Sequence, residues 1–293
     1  MRTARRILVI GSESRLGAAL AAAHTGLGDE VFVTTRRTPA SDERFLDLGR
    51  VPAGWAPPPG TDLAYLCAGI TSLQHCEERP EETSQVNVRG TLDLCRALAR
   101  AGTFAVFFST NLVFDGETPR VTVESCPSPR CAYGRQKAAV EAALRSEDIP
   151  ASVIRLSKVI DRSNVLLNTW REALQSGRTI APFRDMTMAP ISQECALHAI
   201  MDAAECRFRG PMHLSAARDI SYYEAAIQLA KRIGSSENLL CPTTARNSLT
   251  PDRFIPRNTT LAPSASPLLS FVPPEPGVAI DAFLDGSACA ISA

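Results

Sequence analysis

Arg6-Ile-Leu-Val-Ile-Gly11-Ser-Glu-Ser-Arg-Leu-Gly17 is the stretch that decides the fold. Residues Arg6 to Ile10 make a short β-branched apolar run, with the length and composition of a strand buried on both faces. Gly11 ends that run, and the Ala-rich segment Ala18–His24 beyond Gly17 is strongly helix-forming. Strand, glycine turn and helix in that order open a Rossmann unit. The glycines let the turn close and bring the backbone up to a pyrophosphate at the helix N-terminus, with Arg15 and Leu16 in the same turn. Ser14 stands where a G-x-x-G-x-x-G loop has its middle glycine; its hydroxyl suits a phosphate, but its side chain narrows the approach. A simple tight turn is the competing reading of the same residues.

Strands and helices alternate from there. Glu30–Thr35 reads as the second strand. At its end a cofactor with a free ribose hydroxyl calls for Asp or Glu. Arg36-Arg37 stand there instead, and two guanidinium groups suit a 2′-phosphate, favouring NADPH over NADH. The alternative for either arginine is a solvated loop residue. Phe45–Leu48 reads as a third strand, with Asp47 and Leu48 bordering an adenine pocket, and Pro52–Gly60 as a proline-rich loop. Asp62–Cys67 is the fourth strand; Ala68, Gly69, Ile70 and Thr71 follow, and the small residues among them let backbone lie against a cofactor. Glu81–Ala99 reads as one long helix with Leu92, Leu94, Cys95 and Leu98 on its apolar stripe. Asn87 is unfavourable inside it, which points to a strand or loop carbonyl as its partner. Phe104–Ser109 and Ser152–Leu156 are the fifth and sixth strands, separated by a helix that breaks at Ile149-Pro150.

The fold class is therefore α/β: a Rossmann-type doubly wound sheet of about six parallel strands. It is assigned to residues 1–157. Residues 158–293 read as a smaller α+β lobe, with helices over Asn164–Gly177, Gln193–Arg207 and Ser221–Ile233, a strand over Gly210–Ser215, and dense prolines from Cys241 to Pro276. The boundary is approximate, and the chain has room to cross back.

The chemistry is expected between Phe104 and Glu141. Ser109 and Thr110 end the fifth strand with hydroxyls, and Tyr133 and Lys137 are four apart on a helix, hence on one face. An ammonium beside a phenol favours phenolate, lowering the Tyr pKa toward neutrality. Lysine is scarce here, at Lys137, Lys158 and Lys231 alone among 31 basic residues, so one set below a Tyr carries weight.

Composition removes other classes. With 31 basic and 31 acidic residues the net charge is zero, giving no electrostatic case for nucleic acid or an anionic membrane. The basic start, Met1 to Arg6, precedes an apolar run too short for a secretory signal, and no run approaches a membrane span. A soluble cytoplasmic protein is expected. Nine cysteines without a C-x-x-C pair read as reduced small residues, and no spacing suggests a metal site.

With these stretches laid out, the chain resembles the extended short-chain dehydrogenase/reductase superfamily, and within it the dTDP-4-dehydrorhamnose reductase family. The resemblance rests on Gly11…Leu16-Gly17, Cys67-Ala-Gly-Ile-Thr71, Glu77…Pro80…Val86-Asn87, Ser109-Thr110-Asn-Leu-Val-Phe-Asp115-Gly116, Pro127-Ser-Pro129 and Tyr133-Gly-Arg-Gln-Lys137. In the later lobe it rests on Gly210-Pro-Met-His213-Leu-Ser215 and Ile255-Pro-Arg257-Asn-Thr-Thr-Leu261. It implies reduction of a keto group on a nucleotide-linked sugar, with Thr110, Tyr133 and Lys137 catalytic, Asn87 beside the cofactor and Arg257 facing a diphosphate. It also implies a homodimer through the helices around Leu92 and Val140.

The chain departs from the family pattern at Ser14, at Ile70, at Asn111-Leu112 where the family has an Asp-Tyr pair beside the sugar, and at Lys158 where a Trp is usual. Those changes imply a sugar other than 4-keto-rhamnose; Lys158 suits an acidic sugar or an extra phosphate, or is a solvated strand-end charge. Two other functions stay open. One is an epimerase or dehydratase of the same fold. The other is a non-catalytic subunit that binds a dinucleotide and a partner protein.

Overall fold

The computed structural model describes residues 3–37, 43–245, 254–264 and 271–285. The chain divides into two compact units. The first contains residues 1–113, 127–155 and 200–212, and the second contains residues 114–126, 156–199 and 213–293.

The first unit is built on a seven-stranded sheet. Its strands are β1 (Arg6–Ile10), β2 (Glu30–Thr35), β3 (Glu43–Phe45), β4 (Leu63–Leu66), β5 (Phe104–Thr110), β6 (Ala151–Leu156) and Gly210–Leu214, in the order Gly210–Leu214, β6, β5, β4, β1, β2, β3. The pairs β3–β2, β2–β1, β1–β4 and β4–β5 are all parallel, with Ile7 opposite Val31 on one side and Leu63 on the other. Every residue of β4 and β5 is buried, as expected of strands covered on both faces. The order of strands reverses between β1 and β4, which is where ligands of doubly wound sheets bind. One strand more than the six expected is present. Gly210–Leu214, read from sequence as part of the later lobe, pairs beside β6, so a cut at residue 157 does not coincide with either unit.

Two local readings are corrected. The third strand lies over Glu43–Phe45 and not Phe45–Leu48, because Asp47 turns its carboxylate onto the Gly49 N–H (2.8 Å) and caps a 3-10 turn, Leu48–Arg50. The single long helix is instead three pieces: Pro80–Ser84, a π turn over Gln85–Gly90, and Thr91–Arg100. The π turn wraps around a close backbone approach. A Cβ on Gly90 would stand 1.9 Å from the Leu48 carbonyl oxygen, so only glycine fits. Leu92 and Val140, the positions around which chain pairing is expected, are both buried in the unit's own core.

His24 bridges Asp29 (2.7 Å) and the Tyr65 hydroxyl (2.8 Å), all three buried. This closes the first strand–helix–strand turn with satisfied polar groups.

The second unit has its own core. Leu167, Trp170 and Leu174 from the helix Val165–Gln175, Ala225, Ala226 and Leu229 from Tyr222–Arg232, and Ile280 and Phe283 from Pro276–Asp285 form one cluster. The helix Tyr222–Arg232 starts with a capping box in which Ser221 and Glu224 satisfy each other's backbone N–H. Small ladders join Lys158–Ile160 to Pro190–Ser192 in parallel and Thr187–Met188 to Ile220–Ser221 in antiparallel.

Candidate active site

The strand-to-helix turn after β1 is tight because it has to be. Gly11 adopts φ +85°, and a Cβ there would lie 2.7 Å from the Ala68 backbone at the end of β4. Ser14 donates its hydroxyl proton to the Gly11 carbonyl (2.9 Å) and accepts the Gly17 N–H (3.0 Å). It is the N-cap of the helix Arg15–Gly26, so its hydroxyl is engaged in closing the loop. Arg15 is exposed, Leu16 half-buried and Gly17 buried under Cys67.

A cavity of about 600 Å³ opens at the carboxyl ends of β1, β2 and β4. Of the residues expected at a cofactor, Gly11, Ser14, Arg36, Arg37, Asp47, Leu48, Cys67, Ala68 and Gly69 line it, and so does Thr71. Burial pushes the Cys67 thiol well up, so it lines the cavity as a neutral group.

Asn87 ties this cavity to the helix that carries Tyr133. Its Oδ1 accepts the Ile70 N–H (2.7 Å), and its Nδ2 donates to the Ile70 carbonyl (2.9 Å) and to Gln136 Oε1 (2.7 Å). Gln136 in turn donates to Thr83 Oγ1 (2.8 Å). The unfavourable mid-helix Asn therefore sits on the π turn and holds the loop after β4, the loop-carbonyl role its propensity implied.

The helix Ala132–Ser146 begins with Cys131, whose Sγ accepts the Gly134 N–H (3.3 Å), while the Glu77 carboxylate accepts the Ala132 N–H. Gly134 is required, since a Cβ there would be 2.1 Å from the Leu112 carbonyl oxygen. That contact sets the first turn of the helix against the residues just after Thr110. Lys137, 7% exposed, donates from Nζ to the Phe108 carbonyl (2.8 Å). Its Nζ lies 4.6 Å from the Phe107 ring centroid and 5.7 Å from that of Tyr133. Thr110 ends β5; its hydroxyl accepts the Leu112 N–H (3.2 Å) and donates only a long bond, 3.4 Å, to Asn111.

The electrostatics differ from the sequence expectation. Burial pulls Lys137 down to about 8, opposed by the Glu141 carboxylate one turn further along the helix. Tyr133 is half-buried, and burial raises its phenol instead of Lys137 lowering it. At neutral pH the phenol is therefore protonated and the ammonium charged.

Residues that the sequence did not single out complete the constellation. Glu141, buried, accepts the Ser109 hydroxyl and pairs with Arg155 Nη2 at 2.7 Å; Arg155 is also buried. Glu13 reaches from the glycine turn to Thr35 and Arg37. The i+4 spacing from Lys137 to Glu141 was a usable signal; Glu13 carried none, because its partners come from another strand.

Lys158 and Arg257 belong to the second unit. Lys158 opens a short strand and is exposed. Arg257 donates its backbone N–H to the Gly116 carbonyl (3.2 Å) and stands 3.6 Å from the Glu117 carboxylate. Among the described residues no group of three or more His, Cys, Asp or Glu could hold a metal ion, and no helix is long and apolar enough to cross a membrane.

A doubly wound sheet, a glycine turn at its switch point and a Tyr-x-x-x-Lys helix beside a strand-end Thr define an extended short-chain dehydrogenase/reductase. More narrowly, a family model described as the RmlD substrate binding domain matches residues 5–276, and the chain belongs to that family. It is 28% identical over 186 residues to a probable low-salt glycan biosynthesis reductase of Haloferax volcanii, covering 61% of this chain and 62% of that one. It is 25% identical over 191 residues to methionine adenosyltransferase 2 subunit beta of Rattus norvegicus, covering 61% and 56%. The chain thus spans about six-tenths of the length of these curated relatives. A crystal structure of dTDP-4-dehydrorhamnose reductase from Bacillus anthracis in complex with NADP superposes with a TM-score of 0.83, at 17% identity, over 97% of this chain and 100% of that one.

Proposed function

We propose that the chain reduces a keto group on a nucleotide-linked sugar, with NADPH as the cofactor. The observation that carries this reading is Lys137, buried and anchored to the Phe108 carbonyl, sharing a helix face with a protonated Tyr133 beside the strand end at Thr110.

The cavity fits a dinucleotide. Gly11, packed so closely on Ala68 that no side chain is tolerated, closes the turn at its edge, and Arg36 and Arg37 in its lining suit a 2′-phosphate. A bound NADPH supplies the hydride. Tyr133, its phenol held neutral, gives its proton to the carbonyl oxygen as that oxygen gains charge; the sum is ketone, NADPH and a proton going to alcohol and NADP⁺. Thr110, whose proton makes only a long bond to Asn111, donates to the same oxygen. Lys137 uses one of its three donors on Phe108 and has others for ribose hydroxyls. Asn111-Leu112 in place of the family's Asp-Tyr pair supports a sugar other than 4-keto-rhamnose.

The test is turnover against a panel of nucleotide keto sugars. Tyr133→Phe should lower the rate by about 10²–10⁴ while leaving NADPH affinity nearly unchanged. A silent substitution would remove the mechanism. Dinucleotide binding without turnover on any member of the panel would favour a regulatory subunit, in line with the likeness to methionine adenosyltransferase 2 subunit beta. Conversion of an alcohol epimer with no net cofactor consumption would favour an epimerase.

A further inference from the structure

The second strand ends without an acid of its own, yet the structure places one there. Glu13, in the glycine turn, extends its carboxylate to the end of β2, where its Oε1 accepts the Thr35 hydroxyl and stands 3.5 Å from Arg37 Nε. Thr35 is 2% exposed, and its hydroxyl also accepts the Arg37 backbone N–H (3.0 Å), so the group that holds Glu13 is itself fixed. The Glu13 side chain is only 33% exposed, against 82% for Arg37. Glu13, Thr35, Arg36 and Arg37 all line the strand-end cavity.

We propose that Glu13 sets the nucleotide preference of this site, holding the ribose 2′-hydroxyl of NADH and opposing the 2′-phosphate of NADPH. This rests on the dinucleotide reading of the cavity, and it qualifies the part played by the two arginines. A carboxylate accepts hydrogen bonds and donates none; a ribose hydroxyl can satisfy it, whereas a phosphate near neutral pH brings like charge and little proton to share. Arg37 faces a choice that Arg36 does not. It can neutralise Glu13 or it can pair with the phosphate. The site therefore takes both nucleotides, with its NADPH preference held down by Glu13. In the sequence this acid is hidden, because it comes from the first turn and not from the residues that follow β2.

Equilibrium titration of the full chain with NADPH and with NADH, in the unaltered protein and in Glu13→Gln, Glu13→Ala, Arg36→Ala and Arg37→Ala, tests this. Both Glu13 variants should bind NADPH about tenfold more tightly, as expected for removing a like charge a few ångströms from the phosphate, and should bind NADH more weakly. Two variants guard against a local rearrangement, since Gln keeps an acceptor for Thr35 and Ala does not. An NADPH-to-NADH affinity ratio that stays within about twofold in both overturns the proposal. The underlying reading fails differently. If Arg36→Ala and Arg37→Ala both leave the ratio unchanged, there is no 2′-phosphate site to modulate; if an arginine variant shifts it while both Glu13 variants do not, only the role of Glu13 is lost.

Discussion

Replacing Glu141 by Gln tests whether the helix that carries Tyr133 and Lys137 is held by a buried charge. The carboxylate is 9% exposed and Arg155 4% exposed, with Arg155 Nε at 3.1 Å and Nη2 at 2.7 Å from Glu141 Oε2, and the Ser109 hydroxyl on the other oxygen. Removing one member of such a pair takes this carboxylate from a buried guanidinium, at a cost of about 3–5 kcal/mol, whereas replacing both by apolar groups of similar volume is often neutral or better. Glu141→Gln should therefore lose stability on that scale in urea denaturation, and Glu141→Leu with Arg155→Met should recover most of it. The same substitution removes the charge that opposes the fall of the Lys137 pKa, so Lys137 should titrate below 8 in Glu141→Gln. If the single variant loses less than about 1 kcal/mol, or the double variant is no more stable than the single, the pair does not hold the helix.

Gly90→Ala places a Cβ where Leu48 O now lies at 1.9 Å, so the π turn and the 3-10 turn must separate; the expected outcome is a loss of about 1–3 kcal/mol in urea denaturation, together with weaker dinucleotide binding as Asn87 moves. A pH series reads Lys137. Its folded pKa of about 8 lies below its ordinary 10.5, so the native state holds fewer protons than the unfolded chain between those values. Stability from this group therefore rises with pH across that window, whereas cofactor affinity falls above about pH 8 as the ammonium is lost. Lys137→Met should abolish the affinity dependence; an unchanged pH profile would show that Lys137 is not the titrating group.

The fold was legible because β1, β4 and β5 are continuous apolar runs bounded by glycine or polar residues, and period and length suffice for strands buried on both faces. What periodicity could not supply was contact made across the sheet. The π turn at Gln85–Gly90 ends on a glycine packed against Leu48, more than thirty residues earlier, and nothing local in Glu81–Ala99 announces that contact. The third strand shifted because Asp47 found a backbone N–H two residues on, and this local capping overrode the strand reading of Phe45 to Leu48. The strand Gly210–Leu214 was recognised as a strand, but its membership in the main sheet depends on a chain return that no local pattern encodes.

The candidate site divides along the same line. Tyr133 and Lys137 could be paired from spacing alone, since a helix fixes which residues share a face. The direction of the Tyr133 shift could not, because it is decided by desolvation within the surrounding fold and not by the neighbouring ammonium. That reversal has a chemical consequence. On the proposed reaction, a phenol lowered toward neutrality would serve as acid or base alike, whereas one held protonated would enter it as the proton donor, with a charged Lys137 to stabilise the phenolate left behind. With Lys137 near 8, the window in which both conditions hold is bounded above by the lysine and not by the tyrosine. On the reaction proposed above, the rare lysine, more than the tyrosine beside it, would therefore set the pH range over which the site reduces a carbonyl.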